Sequence, residues 1–206
     1  MRGDVGISSG KLHRFAFYSI ISRLTLLLIS STRTLEYQSE AIKSGQITDK
    51  LMENVMLTAV TLHLLAAVIW VGGMFFAVYI MRLAAASMEP AERGALWARS
   101  FKRFFPWVWL SVFLLPVTGY YIVFTGYSGF KELPVPYHLM HAIGWIMIIL
   151  YLHLWFAPYS RFKKALVSED IPEASKNLNQ IRLIVTINLW LGLINIILGT
   201  LGRYHG

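Results

Sequence analysis

His63 is the one side chain titrating near neutral pH in a charge-free run from Val55 to Met81, within the stretch LHLLAAVIWVGGMFF (Leu62 to Phe76). Imidazole in hydrocarbon is costly unless it is hydrogen-bonded, ligated or turned to a polar cavity, so an intramembrane histidine is a candidate for function. The plainer alternative is a hydrogen bond to a neighbouring helix. His138 and His141 stand one helical turn apart, with Met140 between them in sequence. Imidazole and thioether suit copper, which makes these three a candidate ligand set. His153 lies about 18 Å further along the same helix, beyond reach of the same mononuclear site. It is either a second metal-ligand position or an imidazole reaching the interface. The chain has no cysteine. Disulfides, thiolate sites and iron-sulfur clusters are thereby excluded, and a metal must be held by His, Met, Asn or backbone oxygen.

Hydropathy defines the elements that must position these residues. Of 206 residues, 56% are hydrophobic and 15% charged, against about a quarter charged in a soluble domain. Four uncharged runs are long enough to cross a bilayer: Val55 to Met81, Phe104 to Thr125, Val135 to Ala157 and Leu183 to Leu201. Backbone polar groups in lipid must be satisfied within the segment, so all four are predicted to be helices. Pro116 is predicted to kink the second. The fold class is therefore all-α, an integral membrane four-helix bundle over residues 51–206 with an N-terminal extension over residues 1–50.

The net charge of +8 does not point to nucleic acid, because the basic residues collect in loops. Arg82, Arg93, Arg99, Lys102 and Arg103 separate the first two spans; Arg161, Lys163, Lys164, Lys176 and Arg182 separate the last two; the middle loop offers only Lys131. By the positive-inside rule the basic loops are cytoplasmic and both ends of the bundle lie outside. Trp107, Trp109, Tyr159 and Tyr204 are expected in the interfacial aromatic belt. The extension, with basic residues ahead of LTLLLIS but no small-residue cleavage site, admits several readings. It is a fifth span, an interfacial helix, a targeting segment, or a start-site artefact with translation beginning at Met52 or Met56.

Helical geometry puts His63 and His141 at comparable depth, roughly 13 and 8 Å below the outer ends of their spans. His63 shares a face with Ala67, Trp70 and Met74, flanked by Ala66 and Gly73, small residues that let a helix or a flat macrocycle approach. In the last span Asn188, Gly192, Asn195, Gly199 and Gly202 form one stripe expected to face the interior. Close packing explains it, and so does a role for the amides in orienting a ligated imidazole. Arg203 and His205, beyond the outer end, are placed to neutralise acidic groups such as haem propionates. No Asp or Glu lies within the spans, and there is no P-loop, dinucleotide fingerprint or nucleophile motif. Carboxylate ion pumping and nucleotide coupling are therefore unsupported.

Together with FKRFFPWVWLSVFLLPVTGYYIVF, HLMHAIGWIMIILYLHLWFAPYSRFKKAL and LNQIRLIVTINLWLGLINIILG, the first-span segment resembles the copper-resistance D (CopD) family of bacterial inner-membrane proteins. The resemblance runs from about Met56 to Tyr204, and its most specific piece is His63 followed by Trp70, Gly72 and Gly73. It implies a multi-pass protein of the bacterial inner (plasma) membrane that handles copper, often with a periplasmic copper-binding partner. The same pattern also resembles HemJ, a membrane protoporphyrinogen oxidase with b-type haem, whose histidines map onto His63 and His138. HemJ carries a lysine two residues after the second of these, where this chain has Met140.

Three readings follow. The chain handles copper through His63, His138, Met140 and His141, with Met74 and His153 as relay points. Alternatively, His63 and either His138 or His141 ligate a haem b between the first and third spans, making the chain a membrane oxidoreductase. Or the histidines only tie helices together in a structural subunit. Expected partners are the lipid bilayer, a periplasmic copper-binding protein and, as an option left open, further copies of the chain; nucleic acid is not among them.

Overall fold

Every long element in the computed structural model, which describes residues 9–204 and side chains over 19–203, is a helix. We number them α1 (Ser9–Lys43), α2 (Gln46–Ala84), α3 (Pro90–Gly126), α4 (Val135–Val167) and α5 (Ile171–Tyr204). The last four are long and apolar enough to cross a membrane, and there is no strand among the described residues. The chain divides into two units, Met1–Asn54 and Val55–Gly206. In the first, α1 exposes Leu24, Leu26, Leu27 and Leu28. The bundle belongs to the second.

The helices outrun the apolar runs that mark them. α3 begins at Pro90, well before Phe104, and α5 begins at Ile171, well before Leu183. Hydropathy marks where lipid touches a helix, whereas the helix continues for as long as its backbone bonds and one packed face persist. Trp97, Phe101, Ala174 and Leu178 bury that face in the extensions. Pro90 opens α3 where a missing N–H costs nothing, with Glu92 in the first turn facing the helix dipole. Asp170 caps α5, its Oδ1 accepting the Glu173 N–H at 3.0 Å.

α3 stays α-helical through both Pro106 and Pro116. In α4 the backbone widens to π-helix over Trp155–Tyr159, around Pro158, which has no N–H to give the i−4 carbonyl. α2 widens likewise over Phe76–Met81.

α2 turns Ala59, Ala66, Trp70 and Met74 inward and leaves Leu64, Val68 and Phe75 on the outer surface. The core beside them is aromatic. Phe101 stacks on Phe105 at 4.9 Å, and Tyr159 meets Phe105 edge-on at 4.7 Å. Trp109 lies 5.5 Å from Tyr151 and 5.6 Å from Trp155. Tyr159 is therefore a core residue and Trp109 packs against the same cluster, whereas Trp107 is exposed. The side chain of Tyr204 lies outside the described residues.

The two adjacent glycines of α2 have unlike surroundings. A Cβ on Gly73 would run into the Phe104 ring, while one on Gly72 would meet nothing within 4 Å. Gly73→Ala is therefore expected to destabilise the bundle by about 1–3 kcal/mol through overpacking. Gly72→Ala should be neutral or stabilising by about 0.5–1 kcal/mol through helix propensity. Thermal unfolding of the two variants in mild detergent measures the contrast.

Candidate functional site

His63 sits on the inward face of α2, half-buried, with Nδ1 2.9 Å from Thr118 Oγ1 on α3. Thr118 has one hydroxyl proton and donates it to the Leu114 carbonyl at 2.6 Å. The hydroxyl oxygen must then accept from the imidazole, which places the proton on Nδ1 and leaves the lone pair on Nε2. Gly119 makes the approach possible, because a Cβ there would stand 3.3 Å from the imidazole Cε1.

His141 is held on another side of α3. Its Nε2 accepts from the Trp145 indole N–H at 3.2 Å and lies 3.2 Å from the Tyr120 hydroxyl. Thr118 and Tyr120 are two positions apart, roughly 200° around the helix axis. The two imidazoles thus dock on different sides of α3, each through its own partner. His138 is exposed one turn from His141, and the Phe130 ring lies 6.1 Å from the former and 5.2 Å from the latter. Phe130 is delivered by a short 3-10 turn, Phe130–Glu132, after Ser128 (φ 55°) and Gly129 (φ 107°) reverse the chain. That left-handed step suits glycine.

Met140 turns elsewhere. A Cβ on Gly199 of α5 would lie 3.5 Å from its sulfur, so the thioether faces the seam between α4 and α5. Seven residues on, Met147 occupies the same seam. Asn188 Nδ2 donates to the Met147 carbonyl at 3.1 Å, and Asn195 Nδ2 lies 3.9 Å from the Met147 sulfur. The stripe on α5 does face the interior, and its amides bond Met147 and not an imidazole. The amide oxygens of Asn188 and Asn195 are buried without a donor. The seam therefore holds thioether sulfur and buried amide oxygen as acceptors, beside the two amide N–H groups directed at Met147.

His153 is exposed, about 220° around α4 from Met140 by helical geometry, and joins neither cluster. Arg203 is exposed near the outer end of α5. His205 lies outside the described residues. No group of three or more His, Asp or Glu among the described residues is arranged to hold a metal. Thr118, Tyr120, Phe130 and Trp145 are site residues that sequence reading missed. Trp145 alone had a local signal, its i+4 spacing from His141; the others act across helices.

The family model described as copper resistance protein D matches residues 98–201, half of the chain. It takes in His138, Met140, His141, His153 and the α5 stripe, and stops short of His63. No curated protein and no solved structure matches the chain.

Thr118→Val removes the acceptor for His63 and should release the ring from its Nδ1–H form, while Thr118→Ser should keep it. Imidazole 15N chemical shifts of the purified protein read the tautomer directly. Unchanged shifts in Thr118→Val would show that the hydroxyl does not set it.

Proposed function

The chain belongs to the copper resistance protein D family, and we propose that it binds copper as cargo through intramembrane imidazole and thioether groups and passes it along the interior of its helix bundle. The observation that carries this reading is the α4–α5 seam, which holds the partly buried Met140, the buried Met147 and two residues whose amide oxygens are buried without donors. A cation is what such acceptors lack, and thioethers favour soft, low-coordinate copper. His138 and His141 form the receiving pair at the start of α4, near the seam's outer thioether. Trp145 and Tyr120 keep the His141 ring oriented until metal displaces them from Nε2. His63, with its proton held on Nδ1 by Thr118, offers Nε2 as a further ligand from α2. Met74, buried on the same face of α2, extends the thioether set. His153, on the outer surface, stands apart from this route.

Copper binding by the purified protein, measured by competition with a chromophoric chelator under reducing conditions, tests the reading. Wild type should bind copper, and Met140→Leu combined with Met147→Leu should weaken binding by at least about tenfold, or 1.4 kcal/mol. His63→Ala should weaken it independently. A reduced-minus-oxidised visible spectrum of the same sample should be featureless. Stoichiometric haem bands, or copper retention no better than an unrelated membrane protein, would overturn the proposal.

A further inference from the structure

Nε2 of His141 has one lone pair and two neighbours able to donate to it. The Trp145 indole N–H, which can only donate, meets it at 3.2 Å from one turn further along α4. The Tyr120 hydroxyl reaches it from α3, also at 3.2 Å. The first contact requires a bare Nε2, so the imidazole proton sits on Nδ1. Facing a nitrogen with no proton to give, the Tyr120 hydroxyl is the donor in its own contact. Two donors thus share one acceptor.

Ring packing keeps them in place. Tyr120 stands edge-on to the imidazole, with centroids 5.1 Å apart and planes at 78°, and Phe130 packs against the same imidazole at 5.2 Å and 67°. Phe130 also meets Tyr120 at 6.0 Å. His138, one turn earlier on α4, is exposed and has no side-chain hydrogen bond among the described residues. The two neighbouring imidazoles are therefore in unlike states, one open and one with its free lone pair covered. Because Nδ1 carries the proton, Nε2 is the only atom that His141 can offer a metal without losing that proton.

We propose that Tyr120 and Trp145 are positioning residues that hold His141 back from copper, so that the metal is captured first at His138 and His141 joins only when both donors leave Nε2. This inference rests on the copper reading given above. Trp145 shares α4 with His141, whereas the Tyr120 contact ties α4 to α3, so loading the metal on His141 also unties the two helices at this point. The sign is opposite to that of a ligand. Removing a donor takes a bond from the free protein that the copper-loaded protein does not have, and binding tightens. While one donor remains it has the whole lone pair, so a single removal gains less than the double.

The test titrates the full chain in mild detergent with Cu(I) against a chromophoric chelator, with thermal unfolding to establish that each variant is folded. Tyr120→Phe and Trp145→Phe should each tighten copper binding by about threefold, and the double variant by about tenfold, the range spanned by one neutral hydrogen bond. On a His141→Ala background Tyr120→Phe should have no effect, which separates the clamp from a general loosening of the helices. In copper-free wild type the imidazole 15N shifts of His141 should show Nδ1 protonated and Nε2 bare, a signature the double variant should lose. Copper bound by wild type, but no more tightly by whichever single variants fold, would overturn the clamp and leave the copper reading standing. Wild type that binds no copper would overturn both. His141 protonated on Nε2 in the copper-free protein would overturn the clamp whatever the copper result.

Discussion

Hydrocarbon offers no hydrogen bonds, so each polar group carried into the bundle must be answered by another part of the chain. This one constraint shapes the interior. Thr118 answers its own helix by donating to Leu114 and answers α2 by accepting from His63. Asn188 reaches across to the Met147 carbonyl. Asn177 donates to the Glu173 carbonyl at 2.8 Å and accepts from Arg161 Nε at 3.0 Å. These bonds fix the rotation of each helix, and rotation decides which side chains meet.

Where the constraint is left unmet, chemistry becomes possible. The buried orphans are of two kinds, separated in space. The amide oxygens of Asn188 and Asn195 are acceptors on the α4–α5 seam, in company with thioether sulfur. The N–H groups of Trp97 and Arg182 are donors at the basic end. No Asp or Glu lies in the four spans.

Gly192 admits Val71 and Met147, whose methyls would lie 2.8 and 3.2 Å from an added Cβ; Gly202 admits the Tyr137 ring at 2.6 Å on the same measure. Without a hydrophobic force between helices in lipid, such small-residue contacts supply much of the packing. The aromatic cluster of Phe101, Phe105, Tyr151 and Tyr159 fills the wider space towards the basic end. Packing is thus narrow where glycines meet α2 and α4 and filled by bulky rings towards the basic end.

The four helices, their order, the inward stripe of α5 and the candidacy of His63, His138, Met140 and His141 were legible in the sequence, because hydropathy and helical periodicity are properties of neighbouring residues. The family resemblance rested on particular segments of the four spans, and the match over residues 98–201 agrees with it. What the sequence could not contain was which partner each residue meets. That His63 binds Thr118 and His141 binds Tyr120 on another side of α3, that Met140 turns from the histidines to Gly199, and that Trp109 packs against Tyr151 depend on helix rotation. So does the pairing of Trp97 with Arg182, 85 positions apart. Rotation is set by the sum of contacts from several helices at once, and no local pattern encodes that sum.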